Sequence, residues 1–133
     1  MYCKGILLPF DSSKAIYYLT LAANQNHSRA QHFLGIIYLQ CKEIAPTDIN
    51  KGIHYLTLSA EQNYHKAQSD LGLYYLDMVY QNHQNIDKAF HYLTLAANQN
   101  NAKAQNALGM FYLDGEYIRH DVNKGLYYLT LSA

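Results

Sequence analysis

Seven histidines are the residues of this chain whose chemistry is easiest to propose. Imidazole binds zinc, but a zinc site needs several ligands that converge within about 2.1 Å of the ion. His54 and His91 stand in matching sequence, KGIHYLTLSA and KAFHYLTLAA, 37 residues apart. Equivalent positions of successive repeats lie too far apart to share one zinc ion. The other histidines (His27, His32, His65, His83 and His120) lack metal-binding spacings such as HExxH, so we expect no metal site.

Nucleophiles and carboxylates give no catalytic pattern either. The sequence has no G-x-S-x-G elbow, P-loop or dinucleotide fingerprint. Its two cysteines, Cys3 and Cys41, occupy non-equivalent positions relative to repeated tyrosines, so we expect free thiols rather than a disulfide. Asp11, Asp48 and Asp121 each precede a repeated lysine by three residues, which indicates helix N-caps. We therefore expect no enzymatic activity and no cofactor.

Basic residues could instead bind nucleic acid. Arg29, Lys66 and Lys103 recur at one repeat position, as in helical-repeat RNA readers. Asp77 and Asp114 share their face, however, and the formal net charge is zero, so a solvated helix surface is favoured. RNA binding stays a second alternative. A ligand-binding or hydrolytic enzyme that uses the histidine-rich face is the first.

An internal repeat must position all of these residues. Four copies of K-[AG]-x-x-Y-L-T-L-[AS]-A begin at Lys14, Lys51, Lys88 and Lys124, at intervals of 37, 37 and 36 residues. Between them lie AQHFLGIIYL, AQSDLGLYYL and AQNALGMFYL, and both motifs place small and apolar residues at helical spacing. A period of this length is typical of a solenoid. We predict an all-α, right-handed superhelix of helix-turn-helix repeats. It forms one array over residues 1–133, with three full first helices, four second helices and an incomplete repeat at each end.

Recurring residues also predict how these helices end and pack. A glycine inside a helix costs about 1 kcal/mol relative to alanine, so its recurrence in the first helices predicts a close approach of two backbones. Asparagine is the common non-glycine residue in the left-handed turn that closes a helix. The residues concerned are the glycines Gly35, Gly72 and Gly109, the closing asparagines Asn26, Asn63 and Asn100, and Asn85 as a further N-cap.

With these motifs in place, the chain resembles the Sel1-like repeats, relatives of the tetratricopeptide repeats. Two sets of residues carry the resemblance: Tyr2, Gly5, Asp11, Lys14, Ala15, Ala22 and Ala23, then Ala104, Leu108, Gly109, Tyr112, Gly115, Asp121 and Lys124. The chain departs from the pattern in lacking tryptophan and in placing Cys41 and Met78 where a glycine ends the first helix. The resemblance implies a scaffold or adaptor for protein–protein interaction. Lactam-directed activity, discussed for cysteine-rich members, does not transfer because this chain lacks their cysteine pairs.

By analogy with tetratricopeptide geometry, the first helices are expected to line a concave groove that binds a partner peptide. An apolar floor beside a basic edge would suit a segment with aliphatic anchors and some acidic character. The alternative is that the aliphatic residues pack between helices. The groove hypothesis includes Arg29, His32, Ile36, Leu39, Lys66, Ser69, Leu73, Leu76, Lys103, Asn106, Met110 and Leu113.

The remaining expectations concern partners and cellular location. Residues 1–10 do not read as a signal peptide, and no apolar run reaches the roughly 18 residues of a membrane span. A cytoplasmic location is favoured, with a secreted effector as the alternative. We expect a protein or peptide partner, no nucleic acid and no membrane insertion. We also expect weak end-to-end self-association, because the last second helix has no following unit over Leu129 and Leu131.

Overall fold

The computed structural model describes residues 12–40, 47–82, 84–114 and 122–132, and these residues form seven α-helices and no strand. The second helices of the repeats are α1 (Ser12–Asn24), α3 (Ile49–Glu61), α5 (Ile86–Ala97) and α7 (Val122–Ser132); the first helices are α2 (Ser28–Gln40), α4 (His65–Asn82) and α6 (Ala102–Asp114). The predicted all-α class and helix order are confirmed. Expectations for Cys3, Cys41, Asp11, Asp121, His83 and His120 concern positions outside the described residues.

The chain forms two compact units, residues 1–64 and residues 65–133. In unit 1, α2 packs against both α1 and α3. In unit 2, successive helices pack in order from α4 to α7, and α4 also contacts α6. None of the described helices combines the length and apolar character that a membrane span requires.

Asparagines close the second helices, as the sequence predicts. Asn26, Asn63 and Asn100 have φ angles of 65°, 64° and 64°, in the left-handed region. At the end of α1, the Asn26 amide donates to the Ala23 carbonyl at 3.0 Å and the His27 amide donates to the Ala22 carbonyl at 3.1 Å. The same pair of bonds recurs after α3 and α5. These are Schellman motifs, which satisfy carbonyls that a helix end leaves unpaired.

The N-cap predictions have different outcomes. Asp48 has extended backbone, and its carboxylate accepts the Lys51 amide at 3.1 Å, so this cap is confirmed. Asn85 occupies the N-cap position of α5 as predicted, but its side chain makes no capping hydrogen bond, and that part of the prediction is wrong. A capping side chain reaches the first turn from an extended backbone, whereas the φ angle of Asn85 is 66°. The side-chain amide of Asn85 instead donates to Met78 Sδ at 3.6 Å. Helix α4 passes Met78 and ends only at Asn82.

Glycines bring the two helices of each hairpin together, as predicted. A Cβ atom added at Gly35 would lie 2.6 Å from Leu56 Cγ and 3.0 Å from the Gly52 carbonyl oxygen. One added at Gly72 would lie 2.8 Å from Leu93 Cγ and 3.0 Å from the Leu93 backbone nitrogen. Gly109 has the same relation to Leu129. Each first helix therefore receives a leucine from the second helix where a side chain would not fit.

Each unit has its own apolar core. In unit 1, Ala23, Ala30 and Leu34 are buried together between α1 and α2. In unit 2, Leu93 and Phe111 are fully buried in a cluster that draws on α4, α5 and α6. The cores leave one side of every first helix in contact with solvent, and that side contains the candidate site.

Candidate functional site

A lysine and two tyrosines form a repeated stack in each hairpin. Lys51 Nζ lies 5.3 Å from the centre of the Tyr38 ring, and Tyr38 stacks on Tyr55 at 6.1 Å. The equivalent stacks in unit 2 are Lys88–Tyr75–Tyr92 and Lys124–Tyr112–Tyr128. Cation–π and ring contacts thus hold the hairpin together. The recurring lysine and tyrosines are accounted for by folding.

Burial changes the acidity of two of these tyrosines. It raises the pKa of Tyr75 above the ordinary value of 10.0. Burial is also the largest cause of the raised pKa of Tyr128, followed by the neighbouring Tyr112, while Lys124 acts in the opposite direction. Both phenols are therefore neutral at physiological pH.

Buried glutamines, which were not predicted as site or core residues, form a second repeated network. Gln31 is 1% exposed; its Nε2 donates to the Ala23 carbonyl at 3.1 Å and its Oε1 accepts from Gln62 Nε2 at 2.6 Å. In unit 2, Gln99 Nε2 donates to Gln68 Oε1 at 2.8 Å, and Gln105 Nε2 donates to the Ala97 carbonyl at 3.2 Å. The signal was available, since a glutamine follows the repeated alanine in all three first-helix motifs.

Some residues of the groove hypothesis pack between helices in the structure, and others reach solvent. Leu39 packs over Gly52 and Leu113 packs over Gly125, each inside its hairpin, and Leu76 is 8% exposed within the core of unit 2. Ser69 is 1% exposed, and its hydroxyl has no hydrogen-bond partner. Ser69 and Leu76 are thus buried rather than open to a groove. Leu39 and Leu113 pack within their hairpins but stay partly exposed, which is compatible with the alternative of packing between helices.

The other members of the set reach solvent to different degrees. Arg29, Lys66, Lys103 and Asn106 are exposed, and Met110 is 55% exposed. His32, Ile36 and Leu73 are half-buried. We call these residues the first-helix face of the unit in which they lie. In unit 1 its members are Arg29, His32 and Ile36 on α2; in unit 2 they are Lys66 and Leu73 on α4, and Lys103, Asn106 and Met110 on α6.

Unit 1 presents an aromatic version of this face. Phe33, which was not predicted as a site residue, is 42% exposed beside His32, with 6.0 Å between the ring centres. His32 also packs edge-on against Tyr64 at 5.4 Å. Phe33 follows the Arg29 position by one helical turn, so the spacing of exposed positions could have identified it. Unit 1 thus offers a cation beside an accessible ring.

Unit 2 presents a charged version of the same face. The exposed Asp77 of α4 and Asp114 of α6 lie eleven residues after Lys66 and Lys103, respectively. Eleven residues complete about three helical turns, so the lysine and the aspartate of each helix share one side. Gln81 Nε2 donates to Asp77 Oδ2 at 3.1 Å. The apolar members Leu73 and Met110 lie between the two charges.

The histidines do not assemble into a ligand set in the part of the chain that the structure describes. No three histidine, cysteine, aspartate or glutamate side chains come together there as candidate metal ligands. His54 and His91 are exposed, and each packs edge-on against the next tyrosine of its own helix, at 5.4 Å and 5.1 Å respectively. These contacts favour a surface role in packing for both imidazoles.

Comparison with known families decides the classification. The family model for the Sel1 repeat matches residues 1–27, 28–64, 65–101 and 102–133. The chain belongs to the Sel1 repeat family. Sel1 repeats commonly mediate protein–protein interactions, and their scaffold is generally non-catalytic. No curated protein matches the chain.

Solved structures show the same fold. A protective antigen present in uropathogenic Escherichia coli strains, which displays an SLR fold, is 25% identical with a TM-score of 0.80 over 92% of this chain. A Sel1 repeat protein from Oxalobacter formigenes is 26% identical with a TM-score of 0.78, also over 92%. An immunity protein from Pseudomonas aeruginosa, 23% identical with a TM-score of 0.63 over 86% of the chain, shares the fold. This chain spans 26%, 49% and 43% of these three proteins, respectively. The fold is thus an all-α repeat solenoid. Its expected handedness and end-to-end self-association stay predictions.

Proposed function

We propose that this Sel1 repeat chain is a non-enzymatic scaffold that binds a peptide segment of a partner protein along a first-helix face within one of its units. One observation carries the proposal: cations recur, exposed, at the same position of successive first helices, as Arg29, Lys66 and Lys103. In unit 2, α4 and α6 contact each other, so their exposed columns form one continuous surface. The commonly observed role of Sel1 repeats in protein–protein interaction supports the same conclusion.

The composition of the face indicates which kind of segment fits. Met110, 55% exposed, offers a flexible apolar side chain that adapts to the shape of a partner. Complete burial of such a side chain contributes about 1.5–3 kcal/mol, so half of that is available at Met110. Exposed cations beside it favour acidic residues in the partner. An extended peptide with an aliphatic anchor satisfies both requirements.

A matched pair of substitutions tests the proposal. Met110→Glu places a charge on the first-helix face, whereas Leu126→Glu places one on α7 at nearly equal exposure, 55% and 53%. Immobilised wild type and variants would be compared for the proteins they retain, with circular dichroism to confirm equal helicity. We expect partners that Met110→Glu loses and Leu126→Glu keeps. If Met110→Glu retains every protein that the wild type does, the first-helix face is not the binding site.

A further inference from the structure

In unit 2, α4 and α6 carry their charges in the same order. The glutamine bonds place the start of α4 beside the end of α5, and the start of α6 follows that same end, so α4 and α6 run parallel. Lys66 and Lys103 are each the second residue of their helix. Asp77 and Asp114 lie eleven residues further on, and all four side chains are exposed. Asp70, half-buried and one helical turn after Lys66, offsets one of the two cations, so the lysine end of the surface is net basic and the other end is acidic.

Helix stability does not account for this order. The macrodipole favours negative side chains near a helix N-terminus and positive ones near the C-terminus, the reverse of what is found. Lys66 and Lys103 stand in the first turn, and Asp114 is the last residue of α6. In the described part of the chain, neither lysine takes part in an ion pair with an acidic group. All four charged side chains are exposed to a binding partner, although Asp77 Oδ2 also accepts from Gln81 Nε2.

We propose that unit 2 selects an extended peptide by its charge order, an inference that rests on the proposed function. Peptide carboxylates lie against Lys66 and Lys103, an aliphatic side chain lies against Leu73 and Met110, and a basic side chain lies against Asp77 and Asp114. Eleven helical residues rise about 16 Å, which an extended chain covers in about five residues. The aliphatic contact falls about three residues from the acidic one. The recognised pattern is acid-x-x-aliphatic-x-base, read in either chain direction.

A synthetic peptide array tests this spacing directly. The probes are capped peptides of glycine and serine that contain one glutamate, one leucine and one lysine, with the separation between glutamate and lysine varied from about two to eleven residues. Wild type is expected to bind best near a separation of five residues with leucine between the charges. Added salt should weaken that binding because the charge pairs are exposed. An optimum near eleven residues would indicate a helical ligand and would overturn the proposal.

Charge-reversal variants identify the residues involved. Lys66→Glu with Lys103→Glu should lower affinity for the mixed-charge peptide about tenfold or more, because attraction becomes repulsion. The same variant should gain affinity for a probe with lysines at both ends. Asp77→Lys with Asp114→Lys should instead favour a probe with glutamates at both ends. Its matched control, Glu61→Lys with Asp87→Lys, changes net charge equally at exposed positions outside the face and should bind as wild type does.

The outcomes separate this inference from the proposed function. If peptides bind without dependence on charge order, or if the reversal variants keep the wild-type preference, the charge-order inference is wrong while scaffold binding stands. If no peptide binds and no partner depends on Met110, both fail. A switch of preference that follows the reversed residues supports both.

Discussion

At the residue scale, a glycine in the first helix and a leucine in the second set the distance between the helices of each hairpin. Leu56, Leu93 and Leu129 each occupy the space that a Cβ atom would need at Gly35, Gly72 and Gly109. Helix propensity alone favours alanine over glycine by about 1 kcal/mol. Packing therefore opposes helix propensity at these positions. The sign of the change in the free energy of unfolding caused by a glycine-to-alanine substitution shows which effect is larger.

Gly72→Ala is expected to destabilise the protein by about 1–2 kcal/mol, because overpacking a tight contact costs more than the gain in propensity. The new methyl group would lie 2.8 Å from Leu93 Cγ and 3.0 Å from the Leu93 backbone nitrogen, so both a side chain and a backbone would have to move. Urea unfolding measures the difference. With Leu93→Ala added, the combined cost should be less than the sum of the two single costs. A more stable Gly72→Ala protein would contradict this account.

Tyr75 links stability to alkaline pH. Its folded-state pKa is raised by burial above the unfolded value, so its contribution to stability is constant below about pH 10 and is lost as pH rises through the folded pKa. Tyr75→Phe keeps the ring but cannot ionise. Between about pH 9 and pH 11, wild type should lose more stability than Tyr75→Phe in urea unfolding. Tyr17→Phe, which removes the hydroxyl of an exposed ring, is the matched control.

At the element scale, the helix ends are set locally and the helix faces are not. A Schellman turn needs one residue with positive φ and two backbone bonds, all within six residues, so recurring asparagines were enough to predict it. Whether a leucine points into the hairpin or into solvent depends on which side a second helix covers. For Leu39, helical spacing does indicate which side is covered, because Leu39 lies four residues after Gly35 and therefore on the same side of α2.

Two alanine substitutions at the end of α5 isolate the left-handed turn. Asn100 has φ of 64°, whereas Asn98 has φ of −67°, and both are exposed. Asn100→Ala should cost about 1 kcal/mol, because an L-residue with a Cβ atom is strained in the left-handed region. Asn98→Ala should change stability by less than about 0.5 kcal/mol. In thermal unfolding, Asn100→Gly should be as stable as the wild type or more stable. If Asn100→Gly loses as much stability as Asn100→Ala, the backbone angle is not the cause of the destabilisation.

Gln31→Glu tests the glutamine network. At pH 7 it removes the amide that donates to the Ala23 carbonyl and buries a carboxylate, at a cost of about 2–4 kcal/mol. Burial raises the folded-state pKa of this new carboxyl group. The neutral, protonated carboxyl group costs least to bury and is present at acidic pH. The variant therefore loses stability as pH rises. Relative to the uncharged Gln31→Met, Gln31→Glu should be less stable at pH 7 and comparable near pH 4, as measured by urea unfolding.

Periodicity predicted the helices, their order and the glycine contacts, because all three follow from residues that repeat at fixed spacing. The candidate site was predicted only in part. Arg29, Lys66 and Lys103 are exposed as expected, but Leu76 and Ser69 are buried. Phe33 was missed because its equivalents are Asp70 and Ala107, so no column repeats there. Surface residues that differ between repeats leave no periodic signal, although such residues are the ones that can distinguish partners.

At the scale of the whole molecule, charge balance controls behaviour in solution. Ten basic and ten acidic residues give a formal net charge of zero with neutral histidine, and the chain has seven histidines. A net charge near zero promotes association, since little repulsion separates the molecules. Histidine is the residue type that gains charge between about pH 8 and pH 5. Protonation of all seven histidines would add seven positive charges to a formal net charge of zero.

Solubility is therefore expected to be lowest near pH 7 and several-fold higher near pH 5.5. Precipitation by polyethylene glycol across this range provides the measurement. Leu126→Glu, which replaces a leucine that is 53% exposed, should raise solubility at pH 7 without a change of fold. Equal solubility at both pH values would show that net charge is not the controlling property.

The glutamine bonds also bear on how such a chain grows in evolution. Gln31–Gln62 and Gln68–Gln99 each join residues that are 31 positions apart, across one whole hairpin. A duplicated segment of 37 residues carries its own donor, acceptor, glycine and matching leucine. An insertion within the helices that separates donor from acceptor would leave a buried amide unpaired. The gene can gain or lose binding surface in steps of one period, and each step preserves the internal polar network.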